Sequence, residues 1–350
     1  MAMKRLLLAA AAAVLICGVA IRAQAPAEGP YKILKTAKVG GEGGWDYVNV
    51  DVENRRLYIA RRGMPPQINV YNLDTLEHVG DLDNVGAHGA VIDPKTHHGF
   101  ATSKPVTMFD TQTLMPIKVI DTMGNPDGAF FDPSNQRAYV LSHESPHVTA
   151  IDTKDGSIIK QFDIGGMPEQ AASDGKGHLY IDVEDKANIA VVDAKKLEVT
   201  AHYDLTGKGG TCAGLAMDAK HRILFAACRN PQNMVIVNAD TGNVITTLPL
   251  SGLSDGALFH PKTMEAFSSN ADGTLTIVKE NSPTDFVVEQ TLKTMPGART
   301  SALDTKTGHI ILIAAEFGPP PPAKEGEKKG GRGGRGPILP GSFTILMAGK

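Results

Sequence analysis

Residues Asn125–Gly165 read NPDGAFFDPSNQRAYVLSHESPHVTAIDTKDGSIIKQFDIG. Four short apolar or alternating runs stand out, at 128–132, 137–141, 147–152 and 157–164. The segments DPSNQ, SHESP and TKDG separate them. Asp-Pro, Asp-Gly and Ser/Asn clusters pre-set or tolerate the dihedrals of tight turns. Runs this short, rich in Val, Ile, Phe, Tyr and Thr, predict strands rather than helices. Four strands in about 40 residues is the size of one propeller blade.

The unit recurs along the chain. Its first strand ends at Asp51, Asp93, Asp132, Asp174, Asp218, His260 and Asp304, at spacings of 39 to 44 residues. An aromatic follows in six copies, at Tyr58, Phe100, Tyr139, Tyr180, Phe225 and Phe267, and Ile311 takes that place in the seventh. Third strands end in INVYN, VTMFD, VTAID, IAVVD, MVIVN and LTIVK. The seventh copy departs from the pattern. After its second strand comes GPPPPAKEGEKKGGRGGRGPILPG, residues 318–341. That composition cannot bury a core and predicts a disordered loop. The chain returns as a third strand at 342–347, with no fourth strand left. The missing partner is YKILKTAKV, residues 31–39, which matches the fourth strands elsewhere. An N-terminal strand completing the last blade closes the ring and removes an exposed edge. The expected fold is an all-β seven-bladed propeller of four-stranded blades, one domain over residues 26–350.

The segment DPSNQRAYVLSHESPHVTAIDTKDGSIIKQFDIGG (Asp132–Gly166) and the weaker copy DGKGHLYIDVEDKANIAVVDAKKLEV (Asp174–Val199) resemble the YVTN-repeat family of seven-bladed propellers. The resemblance spans essentially all of residues 26–350. It implies the fold and an exported bacterial type of protein. Relatives of the fold include quinoprotein dehydrogenase subunits, lactonases and lyases. No catalytic motif of theirs is matched here, so no activity follows.

The first 25 residues read as a secretory signal peptide. Lys4 and Arg5 precede an apolar run from Leu6 to Ile21, and Ala23-Gln24-Ala25 offers a small-x-small cleavage site. The apolar run is short for a membrane span. Cleavage leaves no candidate transmembrane segment and takes the formal charge from −3 to −6, since residues 1–25 carry Lys4, Arg5 and Arg22 and no acid. An acidic chain with 5% aromatics argues against nucleic acid as a partner. The expected product is a periplasmic or secreted monomer. Two cysteines remain, Cys212 and Cys228. If Asp218 faces Arg222 across the hairpin, the two sit opposite each other. A disulfide, two buried thiols and a metal-binding pair all fit.

The repeat also predicts where chemistry gathers. Five residues before each strand end stand Asp46, His88, Asp127, Glu169, Ala213, Asp255 and Arg299, all expected at one mouth of the central channel. Trp45 precedes the first of them. Four residues after each aromatic stand Arg62, Lys104, His143, Glu184, Arg229, Ala271 and Ala315, on the same face. Asp127, Glu169, Asp255 and His88 are the candidate ligands of a divalent cation, while the cofactor itself is not named by the sequence. Opposed carboxylates also suit acid–base work. The same groups serve equally as turn caps and ties between blades. No HExxH, GxSxG, Walker, dinucleotide or CxxCH pattern occurs. The reading is an exported binding protein offering its charged mouth to a small polar ligand, metal ion or protein partner. A metal-assisted hydrolase or lyase at the same mouth is the alternative, followed by an accessory subunit of a periplasmic redox assembly.

Overall fold

A computed structural model of the chain describes residues 28–319 and 336–350. The expected signal peptide, residues 1–25, lies outside the described residues. Seven antiparallel four-stranded sheets form the blades. Blade 3 runs through Pro126–Asp132, Arg137–Ser142, Val148–Asp152 and Ile158–Phe162, which are the four runs of the quoted stretch. The innermost strands of the seven blades are Gly44–Asp51, Ala90–Asp93, Pro126–Asp132, Pro168–Ser173, Cys212–Asp218, Ser254–His260 and Ser301–Asp304. Each meets the innermost strand of the next blade, and the seventh meets the first.

Closure is made by the N-terminal strand. Lys32–Lys38 pairs antiparallel with Thr344–Gly349, from Lys32 opposite Gly349 to Lys38 opposite Thr344. It becomes the outer strand of blade 7. Tyr31 anchors its start: the ring is buried edge-on against Phe267, the hydroxyl donates to Glu265, and the backbone exchanges two hydrogen bonds with Gln290. At the base of the blade 7 loop, Gly318 N donates to Pro337 O and Leu339 N to Glu316 O. Residues 320–335 lie outside the described residues.

The two periodic markers have separate jobs. The aromatics are core: Tyr58, Phe100, Tyr139, Tyr180, Phe225 and Phe267 are almost wholly buried between blades, as is Ile311. Burying such side chains stabilises by roughly 1.5–3 kcal/mol each. The strand-ending acids cap turns. Asp93, Asp132, Asp174, Asp218 and Asp304 each accept the backbone N–H two residues on, and His260 does so through Nδ1. Asp51 accepts from Asn54. Several also take a donor from the next blade: Asp93 from Thr153, Asp132 from Ser173, Asp174 from Arg222 and Asp304 from Arg55.

The cysteine hairpin shows a shift of register. Asp218 faces Ile223 rather than Arg222, and a bulge between Cys212 and Gly214 restores Cys212 opposite Cys228. The two form a disulfide within blade 5. Among the described residues no helix is long and apolar enough to cross a membrane.

Deleting residues 31–39 exposes the edge of Thr344–Gly349 and strips Glu265 of its tyrosine partner. The expected result is loss of the single cooperative thermal transition, read by circular dichroism. A transition unchanged from the parent chain would contradict closure by this strand.

Acid should loosen the ring from the opposite face. Burial pushes Asp174 and Asp304 up, but backbone amides, His178 and Arg222 for the first, and Arg55, Thr307 and a backbone amide for the second, hold both at about 2. Their stabilisation is complete above the unfolded carboxyl range near 4 and is lost as pH falls through about 2. Asp304→Asn should lower stability by roughly 2–4 kcal/mol at pH 7 and flatten the fall between pH 4 and 2, as measured by urea unfolding. An unaltered pH profile would exclude the Arg55 pair as its source.

Candidate functional site

The innermost strands carry an irregularity at one level of the ring. The register breaks between Trp45 and Val48, Pro126 and Ala129, Pro168 and Ala171, Cys212 and Gly214, and Ser254 and Gly256. A strand of period two sends neighbouring side chains to opposite faces, and a bulge lifts that rule locally. In blade 1 the bulge lets Asp46 and Tyr47 face the same cavity. Asp127, Glu169 and Asp255 sit in the corresponding bulges. His88 and Arg299 precede the shorter strands of blades 2 and 7.

Asp46, His88, Asp127, Glu169 and Asp255 line one cavity of about 410 Å³ with Arg62, His143, Glu184, Arg229 and Tyr47, and Arg299 is not among the lining residues. Arg299 meets its wall through Asp46 at 3.4 Å and Asp255 at 2.7 Å. Arg229 holds Glu184 at 2.6 Å, donates to Asp255, and reaches the Ser254 carbonyl at 2.8 Å. Arg62 pairs with Asp46 at 2.5 Å and lies against the His88 ring. Asp46, Asp255 and Glu184 are thus taken by guanidinium groups. His88 Nδ1 stands 2.9 Å from Asp46 and 2.5 Å from Asp127. His143 Nε2 faces Asp127 Oδ2 at 3.6 Å and Glu169 Oε1 at 3.8 Å.

Electrostatics divides the cavity. Burial pulls His88 down, but its hydrogen bonds to Asp127 and Asp46 outweigh that and raise it to about 9. Burial pushes Asp127 up, yet His88, His143 and the Tyr47 hydroxyl hold it below the usual carboxylate range. Glu169 goes the other way. Burial, then the Glu184 carboxylate, push it to about 9 against the pull of Arg229, so its carboxyl keeps a proton at neutral pH. Burial and the charges of Glu169, Asp127 and Asp46 raise the Tyr47 phenol well above its ordinary value.

Two residues that spacing did not point to complete the site. The Tyr47 hydroxyl crosses from blade 1 to donate to Asp127 at 3.0 Å, with Glu169 at 3.2 Å. Gln170 Oε1 accepts Leu215 N and Ala257 N, each at 3.1 Å, across blades 5 and 6. Below Tyr47 and Gln170 lies a second cavity of about 320 Å³ lined by the innermost strands. The sequence holds a signal for this pair. The row one residue after the charged ring reads Tyr47, Gly89, Gly128, Gln170, Gly214, Gly256 and Thr300. A Cβ on Gly89 would come within 3.0 Å of Tyr47 Cβ, and one on Gly256 within 3.6 Å of Gln170 Nε2. Tyr47 lies against Gly89 and Gly128, and Gln170 against Gly256.

Three sequence expectations change. Trp45 does not line the cavity. It is 7% exposed and packs in the core of blades 1 and 7, edge-on to Phe343 at 5.2 Å, because it stands before the bulge. Asp255, between two guanidiniums, joins neither group of possible cation ligands at the mouth. Those groups are Asp46 with His88 and Asp127, and Asp127 with His143 and Glu169. His143 thus enters where Asp255 was expected, and His88 is engaged as a bridge between carboxylates. Lys104 is not among the lining residues.

No family model matches the chain, and no curated protein matches it. Among solved structures, a chain of the one described as "Crystal Structure of Mitotic Checkpoint Complex" aligns with a TM-score of 0.69. The identity is 12%, over 88% of this chain and 95% of that chain. The chain is a seven-bladed β-propeller. At this identity the likeness extends to architecture alone.

Tyr47→Phe removes the one donor shared by Asp127 and Glu169. It should lower stability by about 1–3 kcal/mol. Asp127→Asn should then cost less in the Tyr47→Phe background than in the native chain, since the two lose a common interaction. Urea unfolding of both singles and the double variant tests this. Strict additivity would show that the phenol acts elsewhere.

Proposed function

We propose that this chain is an exported propeller of the YVTN-repeat type that binds a small polar ligand in the charged mouth. The observation carrying the reading is the cavity of about 410 Å³ in which charged side chains from several blades converge. Side chains used only as ties between blades would close on one another. Here Arg62 remains 45% exposed, and His88 and His143 are each 32% exposed, so these basic side chains still face the opening, with the more buried carboxylates behind them. A ligand of this volume with acceptor and donor groups finds both kinds of partner. Export rests on the leader-like residues 1–25.

A second reading has one observation in its favour. Glu169 carries a proton at neutral pH beside ionised Asp127, the pairing an acid–base hydrolase or lyase needs. It places chemistry at the same mouth.

The test is a thermal-shift screen with small hydroxy acids, amino acids, sugar acids and phosphates. A true ligand at a hundred times its Kd should stabilise the fold by about 2.7 kcal/mol. Arg62→Ala should weaken the response without lowering the stability of the free protein by more than about 1 kcal/mol. A ligand that stabilises Arg62→Ala and the native chain alike binds elsewhere, and a panel without response rejects the reading.

A further inference from the structure

The mouth contains five carboxylates, and their partners are unevenly shared. Asp46, Glu184 and Asp255 each lie within ion-pair distance of an arginine. Asp127 has His88. Glu169 is 7% exposed, and among the described residues no arginine or lysine lies within ion-pair distance of it. Its nearest basic group is His143 Nε2, a buried nitrogen with no hydrogen-bond partner.

The distances around that nitrogen are informative. At 3.6 and 3.8 Å from Asp127 Oδ2 and Glu169 Oε1, it is too far for hydrogen bonds. Ligand atoms held about 2.0–2.2 Å from a tetrahedral ion are separated by roughly 3.3–3.6 Å. The two distances from His143 Nε2 are thus those of polyhedron edges within a small side-chain adjustment, and one ligand atom from each of the three residues lies within 4.8 Å of the others. The outer contacts already orient them. His88 Nδ1 occupies Asp127 Oδ1, while Oδ2 accepts from the Tyr47 hydroxyl at 3.0 Å and presents its other side to His143. The same hydroxyl lies 3.2 Å from Glu169 Oε2, and Glu169 Oε1 faces His143. Such supporting hydrogen bonds aim carboxylates at a metal and tune their donor strength.

We propose that Asp127, His143 and Glu169 form a divalent-metal centre of the zinc type, with a further coordination position open to the cavity. The centre rests on the mouth being the binding site and deepens that reading. One imidazole with two carboxylates favours zinc or a similar transition ion over calcium or magnesium, which take oxygen donors throughout. Binding needs Asp127 and Glu169 as carboxylates and His143 with Nε2 free of a proton, so metal affinity falls as pH is lowered. The open position then takes an oxygen donor of the small ligand, and Arg62 at the rim suits a ligand that is itself a carboxylate or other oxyanion. The resemblance of a second group, Asp218, His221 and Glu280 at the junction of blades 5 and 6, is superficial. There His221 Nδ1 lies 2.7 and 2.9 Å from the two carboxylates, the distances of a proton-filled contact. It serves as an internal control.

The experiment titrates the full chain, freed of metal by chelator, with Zn²⁺ against a chromophoric competitor. One tight equivalent is expected, weakened at least ~100-fold in His143→Ala and in Glu169→Gln, and retained in His221→Gln. Circular dichroism melts establish that each variant is folded. Substituting Co²⁺ should give the intense visible bands of a four-coordinate ion in the native chain and not in His143→Ala. Absence of a tight equivalent, or its loss in His221→Gln but not His143→Ala, overturns the centre. Repeating the ligand screen in chelator separates the two proposals. A ligand response without any zinc site leaves the mouth reading standing and removes the metal. Zinc held through His143 with no ligand response does the reverse.

Discussion

The ring exists because the two ends of the chain share a sheet. Three strands of blade 7 come from the C-terminal part and the fourth from Lys32–Lys38. Without that strand the last blade would offer a free edge, and the first and last innermost strands would lose the frame that keeps them adjacent. Every other feature inherits this constraint. The charged mouth brings together blades 1 to 6, and Asp46 reaches Arg299 of blade 7 across the seam itself. The opposite face repeats the arrangement, with Arg55 of blade 1 on Asp304 of blade 7.

Within that frame the site is made by a local violation of strand geometry. A regular strand would send Asp46 and Tyr47 to opposite faces. The bulge turns both into the channel, and glycines in the neighbouring blades leave room for the tyrosine. Charge then sorts itself by proximity to guanidinium groups. Where an arginine is near, the carboxylate pairs with it. Where none is within reach, as at Glu169, a proton takes the place of the missing cation.

The fold was readable because its markers act locally. Asp132 caps a turn two residues away, so its spacing survives in the linear sequence wherever the turn does. The inner ring was readable because the offset from that cap to the mouth is constant. What stayed hidden depends on contacts between blades. Trp45 and Asp46 are adjacent in sequence, and only the bulge decides that one is core and the other cavity. Asp127 and Asp255 look alike in the repeat, yet Arg229 and Arg299 reach only the second. The weight of Tyr47 lies in Gly89 and Gly128 on other strands, which have meaning only once the strands surround one axis. Cys212 and Cys228 illustrate both sides. They face each other, although the register on which that pairing was first argued is off by one residue.

Tyr47 and Gln170 have one more consequence. They are chords strung across the bore, joining blade 1 to blades 3 and 4, and blade 4 to blades 5 and 6. Tyr47 lines both the charged mouth and the cavity beneath it, and Gln170 lines the lower one, so a molecule seated in the mouth rests against a phenol whose removal would widen the bore.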